Sequence, residues 1–209
     1  MLINGKHTVR MIALCTLLFF TASIGISVAD ESQQAPEHNY ITGLPLLAEE
    51  VTRLQPGLLP FYFYNYFART VRMLPKKGGK VGEPILEINN QFGRGKVFGS
   101  GTNRGVGVRM RGALHFPATG TYILQTLSND GVVIYLNDKR VLYDPTQHSD
   151  QLSPESAISV SVAGWYPIRI DYFQRKGTAA LKLYWKTPGS TEKVIVPGKA
   201  LGHLPGTKG

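Results

Sequence analysis

Cysteine is nearly missing from this chain of 209 residues. The one cysteine, Cys15, lies inside an N-terminal apolar run, so the rest of the chain has no disulfide, no thiolate metal site and no cysteine nucleophile. Lipid attachment at Cys15 is disfavoured, because Ile12, Ala13 and Leu14 precede it and the apolar run continues past it. No apolar run approaching spanning length occurs after Ile26. Helix-length periodic segments are also missing from the second half of the chain. So are the short motifs of common catalysts. There is no Gly-x-Ser-x-Gly elbow, and no His-Glu-x-x-His; His38, His115, His148 and His203 share no ligand spacing. The segment "GRGKVFGSGTNRGVG" is rich in glycine, but Gly95-Lys96 is followed by Val97 and then by strand-like sequence. A phosphate-cradling loop needs Ser or Thr there and a helix after it, so nucleotide binding is not expected. A pair of glycosidase carboxylates is not ruled out by sequence. A domain of this size without a distinctive catalytic constellation is nevertheless read as a binder, not an enzyme.

What is present divides the chain. Residues 1–29 combine a basic start (Lys6, Arg10), an apolar run from Met11 to Ile26, and Ser27-Val28-Ala29. This pattern predicts a signal peptide cleaved after Ala29 and a product secreted, periplasmic or displayed at the cell surface. An uncleaved anchor is the alternative, although the run is shorter than the ~20 residues a spanning helix needs. After cleavage the product is not expected to span a membrane. Cleavage takes the formal charge from +9 to +7. The Lys and Arg residues are scattered, without a dense run, and an exported protein is a poor candidate for nucleic acid, so no nucleic-acid partner is expected. Residues 30–55 read as a polar linker with one short helix stopped by Pro56-Gly57. Residues 56–201 form the folded domain, and 202–209 a loose tail.

Within the domain, alternating apolar and polar residues mark strands at 57–67, 105–116, 121–128, 131–137, 139–144, 157–162, 166–173 and 179–186. Short connectors such as Asn137-Asp138 and Lys176-Gly177 favour antiparallel neighbours. The expected fold class is therefore all-β, an antiparallel barrel or sandwich. Alternation puts Tyr166, Ile168, Ile170 and Tyr172 on one face, and Trp165, Arg169, Asp171 and Phe173 on the other. Trp185 falls on a core face, whereas Trp165 is either a stacking platform or an edge-packing residue. Two strand-like runs flank Ser128, Asn129, Asp130 and Gly131. That cluster is either a turn, with Asn and Asp side chains bonding backbone amides and Gly131 supplying a positive φ, or a ligand loop. The two roles are not exclusive.

The series "RMRGALHFPATGTYILQTLSNDGVVIYLNDKRVL" and "VAGWYPIRIDYFQRKGTAALKLYWKTPG" resembles the protective-antigen-type domain, the PA-fourteen family. "PGLLPFYFYNYF" would be its opening strand, and coverage runs from about Pro56 to Leu201. The resemblance implies an antiparallel β-barrel or sandwich. For function it implies either a carbohydrate-binding module or a domain without glycan binding. In the family's lectin branch two successive Asp residues, joined by a cis peptide, hold calcium, which holds sugar hydroxyls, and an Asn on a later loop completes the site. The corresponding metal positions here are Asn129 and Asp130. Replacing the first acid by Asn129 removes one negative charge, and the later loop, "QRKG", has two cations and no Asn. Both departures argue against calcium.

The expected function is an exported, non-catalytic module recognising a glycan or polysaccharide through loops at one end. Asn129, Asp130, Asp144, Gln147, Asp150 and Gln174 would hydrogen-bond sugar hydroxyls, and Tyr143 or Trp165 would stack on a pyranose face. The alternative is a structural or protein-interaction domain of the cell envelope, with an envelope or surface protein as partner.

Overall fold

The structure is a computed structural model that describes residues 1–2, 37–41 and 43–209. The expected signal peptide beyond Leu2 and its expected cleavage point after Ala29 lie outside the described residues. Residues from Ala35 to Gly209 form one compact unit.

Its strands, in chain order, are β1 (Glu37–Tyr40), β2 (Gln55–Pro56), β3 (Leu59–Tyr64), β4 (Lys80–Val81), β5 (Asn89–Gly93) and β6 (Val106–Phe116). They continue as β7 (Gly120–Asn129), β8 (Val132–Leu136), β9 (Lys139–Asp144), β10 (Gln151–Leu152) and β11 (Ser156–Val160). The last four are β12 (Gly164–Gln174), β13 (Ala179–Lys186), β14 (Val194–Ile195) and β15 (Leu201–His203). One sheet runs β1-β11-β7-β13-β14, with β10 and β5 attached to β7 and β13. The other runs β2-β15-β6-β12-β8-β9, with β3 pairing β6 and β4 pairing β3. Pairing is antiparallel except between β1 and β11. The sheets are not closed on each other. Of the two forms open at the sequence level, the sandwich is the one found.

Two readings of the chain ends are corrected. Residues 37–40 were expected in a linker, yet they form β1, and the Asn39 amide donates to Ser156 Oγ at 3.0 Å. Residues 202–203 were expected in a loose tail, yet they belong to β15, and buried His203 has Nδ1 2.9 Å from the Gly57 carbonyl. Both segments find partners far along the chain, which local periodicity does not report. The expected short helix is one turn, Ala48–Val51, with Glu50 accepting from the Leu47 N–H at 2.9 Å.

Alternation places the core. Tyr166, Ile168, Ile170 and Tyr172 point between the sheets and meet Tyr122, Leu124, Leu181, Leu183 and Trp185 from the opposite sheet. The rings of Phe116 and Tyr122 meet edge to face at 4.8 Å, and Tyr122 contacts Trp185 at 5.5 Å. Two tyrosines close the turns before their own strands. Tyr122 Oη donates to the Ala118 carbonyl at 3.1 Å, and Tyr166 Oη to the Val162 carbonyl at 2.7 Å. Each ring is thus buried while its hydroxyl is satisfied locally. At Asn137 and Asp138 both φ values are positive, as the tight hairpin between β8 and β9 requires.

The outer face of the β6–β12 sheet has its own small core of Phe61, Phe63, Tyr66, Val71, Leu74, Val133 and Phe173. Beside it Arg109 forks onto Asp171, with Nε to Oδ1 at 2.8 Å and Nη2 to Oδ2 at 3.2 Å. Its Nη1 donates to the carbonyls of Pro75 and Lys76 at 2.7 and 2.9 Å. The guanidinium therefore pins the 74–79 loop to the sheet. Removing the carboxylate leaves a buried cation without its partner. Asp171→Ala is expected to cost about 3–5 kcal/mol in denaturant unfolding, whereas a loss within about 0.5 kcal/mol would show that the pair is not structural.

Candidate functional site

The β7–β8 connection is the centre of one end of the sandwich. β7 delivers Asn129 and Asp130 there, next to Ala180 of β13 on one side, and their linking peptide is cis. Behind them Tyr172 reaches across the interior from β12 and donates its hydroxyl to the Asn129 carbonyl at 2.6 Å. Burial raises the Tyr172 phenol well above its ordinary pKa, so it stays a donor. The Asp130 N–H donates to the Phe173 carbonyl and the Phe173 N–H to the Gly131 carbonyl, both at 3.2 Å. The loop is thus sewn to the end of β12.

Asn129 and Asp130 are 5% and 2% exposed. The Asn129 amide donates to Asp150 Oδ1 at 2.8 Å and to Thr178 Oγ1 at 3.1 Å. Gln91 Nε2 donates to the other Asp150 oxygen at 2.6 Å. Those two amides hold the exposed Asp150 carboxyl below the usual carboxylate pKa. Asp130 behaves oppositely. Burial pushes its carboxyl up, partly offset by the N–H of Arg175, 2.7 Å from Oδ2, and by the backbone and ring of His148. Gln174, fully buried, donates to the Thr178 carbonyl at 3.0 Å and leaves its Oε1 without a partner.

The loop after β9 covers the other side. Asp144 pairs with His148, Nε2 to Oδ2 at 3.2 Å, and Gln151 Nε2 lies 3.4 Å from the same oxygen. Burial alone would lower the His148 imidazole. The Asp144 carboxylate, the Ser149 carbonyl and the charge of Asp130 outweigh it and raise its pKa above the ordinary value. Gly131 lies against this loop. A Cβ there would come within 2.6 Å of both the Pro145 carbonyl carbon and the Thr146 oxygen. The sequence reading gave Gly131 a positive φ, but it is not among the glycines with that geometry. Close backbone approach, not left-handed conformation, is what requires glycine here.

The remaining candidates separate. Gln147 is exposed, with its N–H held by the Arg69 carbonyl at 3.0 Å. Tyr143 is 38% exposed but carries the Arg140 guanidinium over its ring at 4.1 Å. Trp165 does not join the group. It sits at the far end of β12 from Gln174, about 30 Å away at ~3.3 Å per strand residue. There it stacks on His115 at 4.9 Å and lines a separate cavity of about 400 Å³ with Leu54, Leu86 and Gly202. Strand alternation showed its face but not its height along the sheet. Gln91 and Thr178 were missed, since β5 lacks apolar alternation and Thr178 gains meaning only beside Asn129.

The residues present do not fit the calcium centre implied by resemblance at Asn129 and Asp130. Calcium takes six to eight oxygens. Here the Asn129 amide presents N–H groups to Asp150, and Asp130 accepts backbone N–H groups. Lys176 is exposed, and Arg175 turns its Nε to the Phe67 carbonyl at 2.9 Å while its charge still favours the ionised Asp130.

Two outcomes test this geometry. Gly131→Ala forces its Cβ onto backbone atoms and is expected to lower stability by about 1–3 kcal/mol, read by denaturant unfolding. A neutral result would show that the loop after β9 can withdraw. For His148 the raised folded pKa sets the sign: its contribution is complete below the unfolded value and is lost as pH rises through the folded one. Raising the pH from about 5.5 to about 8.5 should lower the melting temperature more in the native protein than in His148→Gln. Equal slopes would mean that the Asp144–His148 pair does not support the fold.

Comparison with known proteins follows the same outline. The PA14 domain profile matches residues 55–199. An anti-sigma factor domain-containing protein is similar at a TM-score of 0.62 and 22% identity, over 74% of this chain and 50% of that one. The chain therefore spans about half the length of that relative. The PA14 sugar-binding domain from RTX adhesin is similar at a TM-score of 0.55 and 16% identity, over 71% and 98% of the two chains. The Epithelial Adhesin 9 A domain from Candida glabrata, solved with Galb1-4GlcNAc, gives a TM-score of 0.58 and 14% identity, over 82% and 97%. A search of curated protein sequences gave no match. With its profile match spanning most of the sandwich, the chain belongs to the PA14 domain family.

Proposed function

We propose that this protein is a non-catalytic carbohydrate-binding module, exported through the segment ending at Ala29, that takes a glycan at the β7–β8 end of its sandwich. The observation that carries the reading is the convergence there of Asn129, Asp130, Asp150, Gln91 and Thr178, from four separate stretches of chain. Roles divide by burial. Asn129, Asp130 and Gln174 are inside and position their neighbours, whereas Asp150, Gln91, Gln147 and Thr178 are exposed and face a ligand. A carboxylate flanked by amides and hydroxyls can accept and donate to adjacent sugar hydroxyls. Asp150 stays ionised and held in place by two amides, so little ordering is needed when a sugar binds. Among solved structures of the same fold, the sugar-binding domain of RTX adhesin and the Epithelial Adhesin 9 A domain bound to Galb1-4GlcNAc support the reading.

The test is retention on a panel of immobilised polysaccharides, with calcium and with chelator. The expected result is retention on at least one glycan that the chelator leaves unchanged, since the site is already satisfied by N–H donors. Asp150→Ala should weaken it by roughly tenfold or more while the protein stays folded, because the buried Asn129 amide keeps its bond to Thr178. Loss of retention in chelator would restore a calcium site. No retention on any glycan would overturn the reading and favour a protein partner at the cell envelope.

A further inference from the structure

The Gly-rich segment that fails as a phosphate cradle has a second use. Arg94, Asn103 and Arg104 from that segment line a cavity of about 380 Å³ with Lys176 and Gly177 of the β12–β13 loop. The Asn103 amide donates to the Arg94 carbonyl at 3.1 Å and closes the segment on itself. Among the described residues no ion pair engages Arg94, Arg104 or Lys176, and no acid lines the cavity. All three are exposed.

This cavity adjoins the glycan site through covalent neighbours. Lys176 and Gly177 lie between Arg175, whose N–H holds Asp130, and Thr178, which accepts from Asn129. Arg94 follows Gly93, and two residues earlier Gln91 holds Asp150. Arg94 is three residues from Gln91 and Lys176 two from Thr178, so at ~3.8 Å per residue their backbones lie within about 12 Å of these two site residues. The volume lies in the ~300–1,000 Å³ range of small-ligand clefts. Guanidinium groups offer planar forks that match a carboxylate or a sulfate.

We infer that the module selects acidic glycans, with sugar hydroxyls at Asp150 and Gln91 and an anionic substituent between Arg94, Arg104 and Lys176. This rests on the glycan-binding reading above and adds the class of sugar. It also gives part of the surplus of basic residues in this chain a local task, because no acid lines the cavity beside Arg94, Arg104 and Lys176.

The test compares glycans that differ only in charge: an oligogalacturonate against its methyl ester, and a sulfated galactan against the desulfated polymer, by titration calorimetry at fixed salt. The native protein is expected to bind the charged member of at least one pair roughly tenfold tighter. Arg94→Gln/Arg104→Gln should bring that member down to the affinity of its neutral partner. Arg53→Gln/Lys199→Gln, equal in charge but at exposed positions near Trp165, should keep the preference. Equal affinity within both pairs would overturn the inference and leave the glycan site standing. Equal losses in the two double variants would overturn it too, by showing diffuse attraction. Absence of binding to every polymer would remove both readings together, and it is told apart by the neutral members.

Discussion

The layer of apolar side chains held between the two sheets positions every other feature of this molecule. Tyr166, Ile168, Ile170 and Tyr172 enter it from one sheet, and Tyr122, Leu124, Leu181, Leu183 and Trp185 from the other. Because side chains alternate along a strand, burying one set forces the register of the whole pair. β6 and β12 pair over eleven residues without a slip, so the height of each side chain along that pair is fixed as well. Tyr172 occupies the end of this layer. Its ring is in the core and its hydroxyl holds the Asn129 carbonyl, so the β7–β8 loop is anchored from within.

Around that anchor, polar groups are satisfied in a graded way. Of the innermost ones, the Asn129 amide donates to the Asp150 carboxylate and the Thr178 hydroxyl, and Asp130 accepts from the Arg175 N–H. Asp150, farther out, still has an exposed carboxylate. Beyond it the cavity of Arg94, Arg104 and Lys176 has cations and no acid. Charge thus changes sign over a short distance at one end of the sandwich, which is how a protein orients a ligand with both hydroxyls and an anionic group. The opposite end differs. Trp165 and Leu86 line an apolar cavity there, separated from the acids by the length of β12.

Alternation in the sequence revealed eight of the fifteen strands, seven of them within two residues, and it assigned the faces of β12 and β13. These are local properties, encoded in period two. Seven short strands escaped it, and for three of them the reason is that their partners are distant along the chain. β1 pairs with β11, β15 joins β6, and β5 pairs with β13. None of the three has an apolar alternation of its own, since each is an edge or a short addition. Gly131 was legible as a glycine that matters, but the cause was misassigned, because the backbone of Pro145 and Thr146 that crowds it is invisible in one dimension.

The sequence by itself determined an all-β domain, its core faces and the loop on which Asn129 and Asp130 lie. Short-period apolar patterning and turn chemistry suffice for those. Only the tertiary structure decided that the domain is an open sandwich, that Trp165 stands far from the site, and that Gln91 and Thr178 belong to it. It alone placed Arg94 and Arg104 beside Lys176, across a separation of about eighty residues. The physical reason is that a site is a matter of distance in space. Pairing between strands, set by the burial of their shared face, converts sequence position into height and neighbourhood.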